Sequence, residues 1–114
     1  MLSRKYRATR LDIENTIKAG MNIPGICLYA KISRNDSAKA GFAIVVSKKT
    51  EKTSVGRHQI KRKLSACIEA SLPQMQSDFK KTVVFFVKDR KNPAFYDQAE
   101  KDIQEILTKA HFFS

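Results

Sequence analysis

Residues 42–64 of the chain read FAIVVSKKTEKTSVGRHQIKRKL, and this stretch decides the fold. It opens with five apolar residues, Phe42 to Val46, at both odd and even positions. Such a run is typical of a strand that is covered on both faces, so we expect a central strand here. The next segment, residues 48–63, carries seven Lys or Arg against one Glu.

A helix is predicted from within this basic segment. Thr53 or Ser54 can cap its start, and Pro73 forces its end near residue 71. Apolar or small side chains then recur at helical spacing, namely Ile60, Leu64, Cys67, Ile68 and Ser71. The stretch therefore predicts a strand followed by a strongly basic helix.

The flanking segments extend this pattern to the rest of the chain. Residues 83–87 form a second run that is apolar on both parities, and we expect it to be central too. Residues 26–32 alternate, with Ile26, Leu28, Ala30 and Ile32 on the apolar side and Cys27, Tyr29 and Lys31 on the other. A capping pair, Thr9 and Asp12, and a stop at Gly20 predict a first helix over about residues 10–19.

The last helix is predicted from the spacing of Tyr96, Ala99, Ile103, Ile106, Leu107 and Ala110, with its acidic residues on a solvated face. A polar turn is expected over residues 33–39, and a short extra strand fits residues 21–23. The order helix, strand, strand, helix, strand, helix predicts an α/β fold of the α+β sandwich type with one central sheet. We expect a single domain spanning residues 1–114, with a basic tail over about residues 1–8.

Composition points to the class of partner. The 114 residues include 22 Lys or Arg against 11 Asp or Glu, which gives a formal charge of +11. This imbalance favours a polyanionic partner. Cys27 and Cys67 stand too far apart, without paired ligands, to build a zinc site or a disulfide framework, so buried thiols are expected. No apolar run is long enough for a membrane span or a signal peptide.

Catalysis by the chain itself is not indicated, because no cluster of His, Cys, Asp and Glu stands at a workable spacing. His58 and His111 are interpreted as solvated or capping residues. On a helical wheel with Ile60 at zero, Arg57 falls near about 60°, so we expect its guanidinium to reach out over the sheet. Lys61 and Ser65 flank it, whereas Gln59, Arg62 and Glu69 point away. Two basic surfaces are predicted, one lining a groove between helix and sheet and one facing outward.

Two features could bind a nucleic acid. Lys48 and Lys49 precede a helix N-terminus, whose amides and dipole favour phosphate. Tyr29 shares a strand face with Lys31, an arrangement that can stack a single-stranded base. A tyrosine packed beneath a helix explains the same residue equally well.

These residues resemble a known family, the protein subunit of bacterial ribonuclease P. The likeness is strongest in Val46-Ser47-Lys48-Lys49 and in the run from Val55 to Arg62, which is similar to the family's Val-Ser-Lys-Lys and Arg-Asn-Arg-x-Lys-Arg. Arg10-Leu11 and Leu28-Tyr29 support it more weakly. At six positions the chain has a residue that differs from the family's usual one: His58, Gln59, Ser65, Ile13, Ile17 and Ala43.

The resemblance implies an RNA-binding cofactor. In the family a large RNA carries the catalytic centre with its Mg²⁺, and the protein binds that RNA and the 5′ leader of precursor tRNA. No metal is predicted on the protein. Carried onto this chain, RNA binding falls to Lys48, Lys49, Lys52, Arg57, His58, Lys61, Arg62 and Lys63. The groove for the leader would be bordered by Ile13, Ile17, Tyr29, Lys31 and Arg57.

The resemblance also implies a left-handed crossover between the two apolar strands, a monomer within the holoenzyme, and a cytoplasmic location. An alternative function stays open at this point, that of a ribosomal or RNA-chaperone protein without a role in cleavage.

Overall fold

The computed structural model describes residues 7–34, 41–71, 81–88 and 93–109. Three helices and four strands follow one another in the predicted order, including the short extra strand. They are α1 (Arg10–Ala19), β1 (Met21–Pro24), β2 (Leu28–Arg34), β3 (Gly41–Val45), α2 (Ser54–Ser71), β4 (Lys81–Val87) and α3 (Phe95–Lys109). Most of the predicted polar turn and basic tail lies outside the described residues, as do Pro73, Ala110 and His111.

The four strands form one mixed sheet in the order β1-β2-β4-β3. β2 pairs antiparallel with β1 and β4, whereas β3 pairs parallel with β4, with Phe42 opposite Val83. The fold is therefore α+β, as predicted. The prediction that both apolar strands are central is confirmed for β4 and wrong for β3, which lies at the edge. An apolar pattern indicates that both faces of a strand are buried. It does not indicate whether the strand has hydrogen-bonded neighbouring strands on both sides.

One face of the sheet carries the hydrophobic core. α2 and α3 pack there on the odd positions of β4 and the even positions of β2, and α3 contributes five apolar buried residues of its own. The core side chains with less than 2% exposure and the largest volume are Phe42, Phe85, Phe95, Leu28, Ile60, Leu64, Ile68, Ile103, Ile106, Leu107 and Val83. The predicted apolar stripe of α2 is confirmed, except that Cys67 is half-buried and Ser65 is buried.

The other face is partly covered by α1, which is attached by polar contacts. Thr9 Oγ1 accepts from the Asp12 amide at 3.2 Å, as the predicted cap requires. Thr16, the buried residue of α1, donates its hydroxyl to the carbonyl of Asp12 at 2.7 Å. The Ser33 hydroxyl of β2 lies 2.6 Å from Thr16 Oγ1. Because the Thr16 proton is used in the bond to Asp12, Ser33 is the donor in this second bond.

A buried carboxylate corrects two sequence predictions. Asp102 of α3, expected on a solvated face, is fully buried and accepts from the amides of Cys27 at 2.7 Å and Leu28 at 3.0 Å. Its other oxygen accepts from the Ile26 amide and from Gln98 Nε2. This anchoring turns the chain before β2, so the strand begins at Leu28 and Ile26 is exposed rather than inward.

Cys27 and Cys67 are both thiols rather than a disulfide. Among the described residues, no helix combines the length and apolar character that crossing a bilayer requires. The handedness of the connection from β3 through α2 to β4 stays a prediction.

Candidate nucleic-acid interface

The segment between β3 and α2 forms a hydrogen-bonded turn that we call the basic loop, residues 47–53. The carbonyl of Ser47 accepts from the amides of Thr50 and Glu51, both at 3.1 Å. The Ser47 and Thr50 hydroxyls lie 2.9 Å apart. The loop holds three exposed lysines, Lys48, Lys49 and Lys52. Three of the predicted RNA-binding cations therefore lie together on one ordered turn.

Thr53 caps the start of α2, which decides between the two predicted caps. Its Oγ1 accepts from the Gly56 amide at 3.0 Å, and its carbonyl accepts from the Arg57 amide. Glu51 Oε1 in turn accepts from the Thr53 hydroxyl at 3.2 Å. A Cβ on Gly56 would lie within 2.8 Å of the Glu51 side chain, so a larger residue there would displace it. The loop and the first turn of α2 thus form one unit.

Arg57 does not reach over the sheet, contrary to the wheel prediction. Its Nη1 donates to the carbonyls of Glu51 and Lys52, each at 3.0 Å. The half-buried guanidinium is therefore turned back onto the basic loop. A wheel fixes the direction of a Cβ, but the long side chain follows the nearest acceptors that lack a partner. Arg57 consequently does not border the predicted leader groove by this contact.

The other basic residues of α2 lie on different sides of the helix. His58 and Arg62 are exposed on the outer side. Lys63 Nζ lies 4.2 Å from the centre of the Tyr96 ring of α3, a cation–π contact. Lys61 is half-buried and lines a small groove of about 210 Å³ beside the β3 edge, together with Ile13 and Ser65. Ile13 and Lys61 are thus brought together from two helices.

A row of four residues lies on the part of the sheet that α1 leaves uncovered, with two aromatic rings at its centre. We call this row the open face: Pro24, Tyr29, Phe86 and Val45. The pairing register places these residues side by side across β1, β2, β4 and β3. The rings of Tyr29 and Phe86 stack with centroids 4.9 Å apart and planes 7° apart. Tyr29 and Phe86 are both half-buried, so the two rings are partly accessible to solvent.

Lys31 and Ile17 border this row from the α1 side. Lys31 follows Tyr29 on the same strand face, and its Nζ donates to the Ile17 carbonyl at 3.0 Å, at the last turn of α1. The Ile17 side chain is 39% exposed. Lys31 and Ile17 are thus brought together beside Tyr29, whereas Ile13 lines the small groove at the β3 edge.

Sequence reasoning missed Phe86, Val45 and Pro24. Residues 83–87 are apolar on both parities, so no contrast marks Phe86 as the residue that faces out beside Tyr29. The signal appears only with the antiparallel register of β2 and β4, which pairs Tyr29 with Phe86.

A larger groove, of about 960 Å³, lies elsewhere, along the outer side of α3. Asp97, Glu100 and Glu105 line it together with Lys101 and the exposed side chain of Ile26. Three carboxylates against one ammonium repel a phosphate backbone, so size alone does not make this groove the nucleic-acid site.

The titratable groups of the described residues offer no catalytic centre. Burial raises the pKa of the Cys67 thiol above its ordinary value, and the carboxylate of Glu100 raises it further. Cys67 is therefore a neutral thiol near pH 7 and a weak nucleophile. Within the described part of the chain, no group of three or more His, Cys, Asp or Glu converges as a metal cage would.

Comparison with known proteins identifies a family. The family model described as Ribonuclease P matches residues 2–111. The fold is similar to that of the RNase P protein of Staphylococcus aureus, with a TM-score of 0.74 and 19% identity over 96% of this chain and 98% of that one. It is also similar to the RNase P protein from Thermotoga maritima, with a TM-score of 0.75 and 15% identity over 90% of this chain and 96% of that one. No curated protein sequence matches the chain.

Proposed function

Since this chain belongs to the ribonuclease P protein family and is thereby the protein subunit of a ribonucleoprotein endoribonuclease, we propose that its open face holds the 5′ leader of precursor tRNA. The basic loop and the outer side of α2 bind the catalytic RNA. In this division of labour the protein positions RNA strands, and the RNA subunit performs the hydrolysis.

The observation that carries the proposal is the stack of the half-buried Tyr29 and Phe86 rings on the open face. Strands in a sheet lie about 4.8 Å apart, so the four residues of the open face span about 14 Å, enough for a short stretch of extended single strand. Both rings stay partly accessible, so a base can stack against the aromatic surface that they present. Base–aromatic stacking contributes about 1–3 kcal/mol per base and tolerates any sequence. Leaders of different sequence require that tolerance.

The charges beside the open face support the same assignment. Lys31 lies along its α1 side, and Lys61 lines the groove at the β3 edge. Lys48, Lys49 and Lys52 stand on the basic loop that follows β3. A backbone that leaves the aromatic row therefore meets ammonium groups on two sides, which lowers the repulsion between leader and RNA subunit.

Mg²⁺ belongs to the RNA subunit in this proposal. Phosphodiester hydrolysis uses such ions to activate water and to stabilise the leaving oxygen. His58 and Arg62 can approach phosphate, but they supply hydrogen bonds and charge rather than a base for the reaction. In this proposal the protein acts as one copy per holoenzyme and in the cytoplasm.

Reconstitution with the RNA subunit tests the proposal. Tyr29→Ala should weaken binding of precursor tRNA by about tenfold or more, which corresponds to the loss of one stacked base. Binding of leaderless tRNA should stay unchanged. Met21→Ala is the matched control, because Met21 is an exposed apolar residue on the opposite face of the sheet.

The comparison of the two substrates decides the outcome. Equal losses for precursor and leaderless tRNA would remove the leader from the open face and favour the chaperone alternative. Cleavage by the protein without the RNA subunit would contradict the division of labour.

A further inference from the structure

Arg57 is the one predicted groove residue that the structure places elsewhere, and its contacts give it a different task. Nη1 joins two successive carbonyls of the basic loop, those of Glu51 and Lys52. No backbone amide of the described residues donates to either carbonyl. The guanidinium therefore ties the end of the loop to the helix that follows it.

The other contacts of the loop are polar. The Ser47 carbonyl and hydroxyl close its first half on Thr50, whose hydroxyl also lies 3.5 Å from the Val87 carbonyl of β4, and the Glu51 carboxylate holds Thr53 in its second half. Nothing apolar from the loop belongs to the buried core cluster. A polar turn of this kind opens locally at a low cost in free energy. The two hydrogen bonds of Arg57 therefore contribute a large share of the free energy that keeps the loop closed.

Lysine at this position would reproduce the contact only in part. Both bonds come from Nη1, and an ammonium also has enough hydrogens for two carbonyls, but it ends a flexible stem and loses more entropy per bond than the pre-organised guanidinium does. Nε and Nη2 of Arg57 have no partner among the described residues, so the same group keeps donors for an RNA phosphate.

We propose that Arg57 is a positioning residue: it fixes the basic loop so that Lys48, Lys49 and Lys52 meet the RNA backbone together. The inference rests on the proposed role of the loop in binding the RNA subunit. Under this proposal, loss of Arg57 weakens RNA binding in two ways: its own positive charge is lost, and the three lysines are no longer held in place. Binding of the leader is not directly affected.

Arg62→Gln provides the matched control for Arg57→Gln. Arg62 is an exposed cation on the same helix, and within the described residues it makes no hydrogen bond to the loop. Both variants lose one positive charge. If each arginine contributed one phosphate contact alone, both would reduce the slope of log affinity against log salt by about 0.7–0.9.

The first measurement is the salt dependence of RNA-subunit binding. Arg57→Gln should reduce the slope by the equivalent of about two or three phosphates, against about one for Arg62→Gln. Combining Arg57→Gln with Lys49→Gln should cost less than the sum of the two, since the loop is already displaced. The pair Arg62→Gln and Lys49→Gln should be additive. Arg57→Lys should give partial rescue of affinity.

The second measurement reads the loop without RNA. A protease that cleaves after lysine should cut the folded Arg57→Gln protein at Lys48, Lys49 and Lys52 several times faster than the wild type, and Arg62→Gln at the wild-type rate. Circular dichroism confirms that both variants stay folded. Equal slopes for the two variants, or equal cleavage rates, overturn the proposal. Because this second measurement needs no partner, it holds even if the basic loop proves not to bind the RNA subunit.

Discussion

The two faces of the sheet are built from adjacent residues but differ in how they are held. On the α2–α3 face, Phe85 is fully buried in an apolar cluster, and α3 alone buries six residues. On the α1 face, its neighbour Phe86 is half-exposed, and α1 buries one residue, Thr16. The alternation of a strand thus gives neighbouring residues different environments: the odd positions of β4 fill the core, whereas Phe86 stays partly accessible at the surface.

The largest expected effect comes from the pair Phe85 and Phe86. Phe85→Ala removes a fully buried ring and should lower the free energy of unfolding by about 3–5 kcal/mol. Phe86→Ala removes a half-exposed ring and its stack with Tyr29, which should cost about 1 kcal/mol. Urea unfolding measures both. Precursor affinity should fall for Phe86→Ala, and equal losses of stability would remove the distinction between the faces.

The next effect concerns the buried carboxylate on the sealed side. Asp102→Ala leaves three amides before and within β2 without their acceptor, and should lower the free energy of unfolding by about 3 kcal/mol. Asp102→Asn keeps one acceptor oxygen and should fall between this variant and the wild type. Asp97→Ala, at an exposed position of the same helix, serves as the control. A loss no greater than that of Asp97→Ala would show that the anchor does not contribute.

The attachment of α1 should show a smaller effect. Thr16→Val keeps the shape of the side chain but breaks the bonds with Ser33 and Asp12, at a cost of about 1 kcal/mol. Thr108→Val is a close match, because Thr108 Oγ1 donates to the Gln104 carbonyl in the same way but on an exposed surface. Thermal unfolding should separate the two. Equal melting temperatures would mean that the polar contact with β2 adds nothing.

The smallest effect concerns the reactivity of Cys67, not stability. Glu100→Gln removes the negative charge that helps to raise the pKa of this thiol, so the pKa should fall and alkylation by iodoacetamide at pH 8 should accelerate. Glu105→Gln, on the same helix, is the control. Burial is the larger cause of the raised pKa, so the thiol should still react more slowly than an exposed cysteine. An unchanged rate would show that Glu100 does not act on Cys67.

Local signals explain what the sequence predicts well. The Thr9 cap, the Gly20 stop and the Pro73 limit place α1 and α2 because each acts within a few residues. The edge position of β3, by contrast, depends on where β4 inserts. The sequence alone does not show that Asp102 is a buried acceptor. Its amide donors lie in the turn before β2, more than seventy residues earlier in the chain, and only the folded structure brings them to Asp102.

The candidate site divides along the same line. The basic loop follows from composition, so the sequence predicts it, whereas the period of β2 leaves two environments open for Tyr29. The direction of the Arg57 side chain is not predicted, because a long, flexible side chain can bond any of several nearby acceptors. Phe86 becomes visible only through its register with Tyr29.

The insertion of β4 between β2 and β3 has a consequence for biosynthesis. A ribosome delivers β2 and β3 before α2, yet both strands lack their shared partner until residues 81–87 emerge. Pairing over such a sequence distance is slow, because a long loop must close before any bond forms. The nascent chain thus carries its positive charges for some time without a closed core, in a cell filled with RNA.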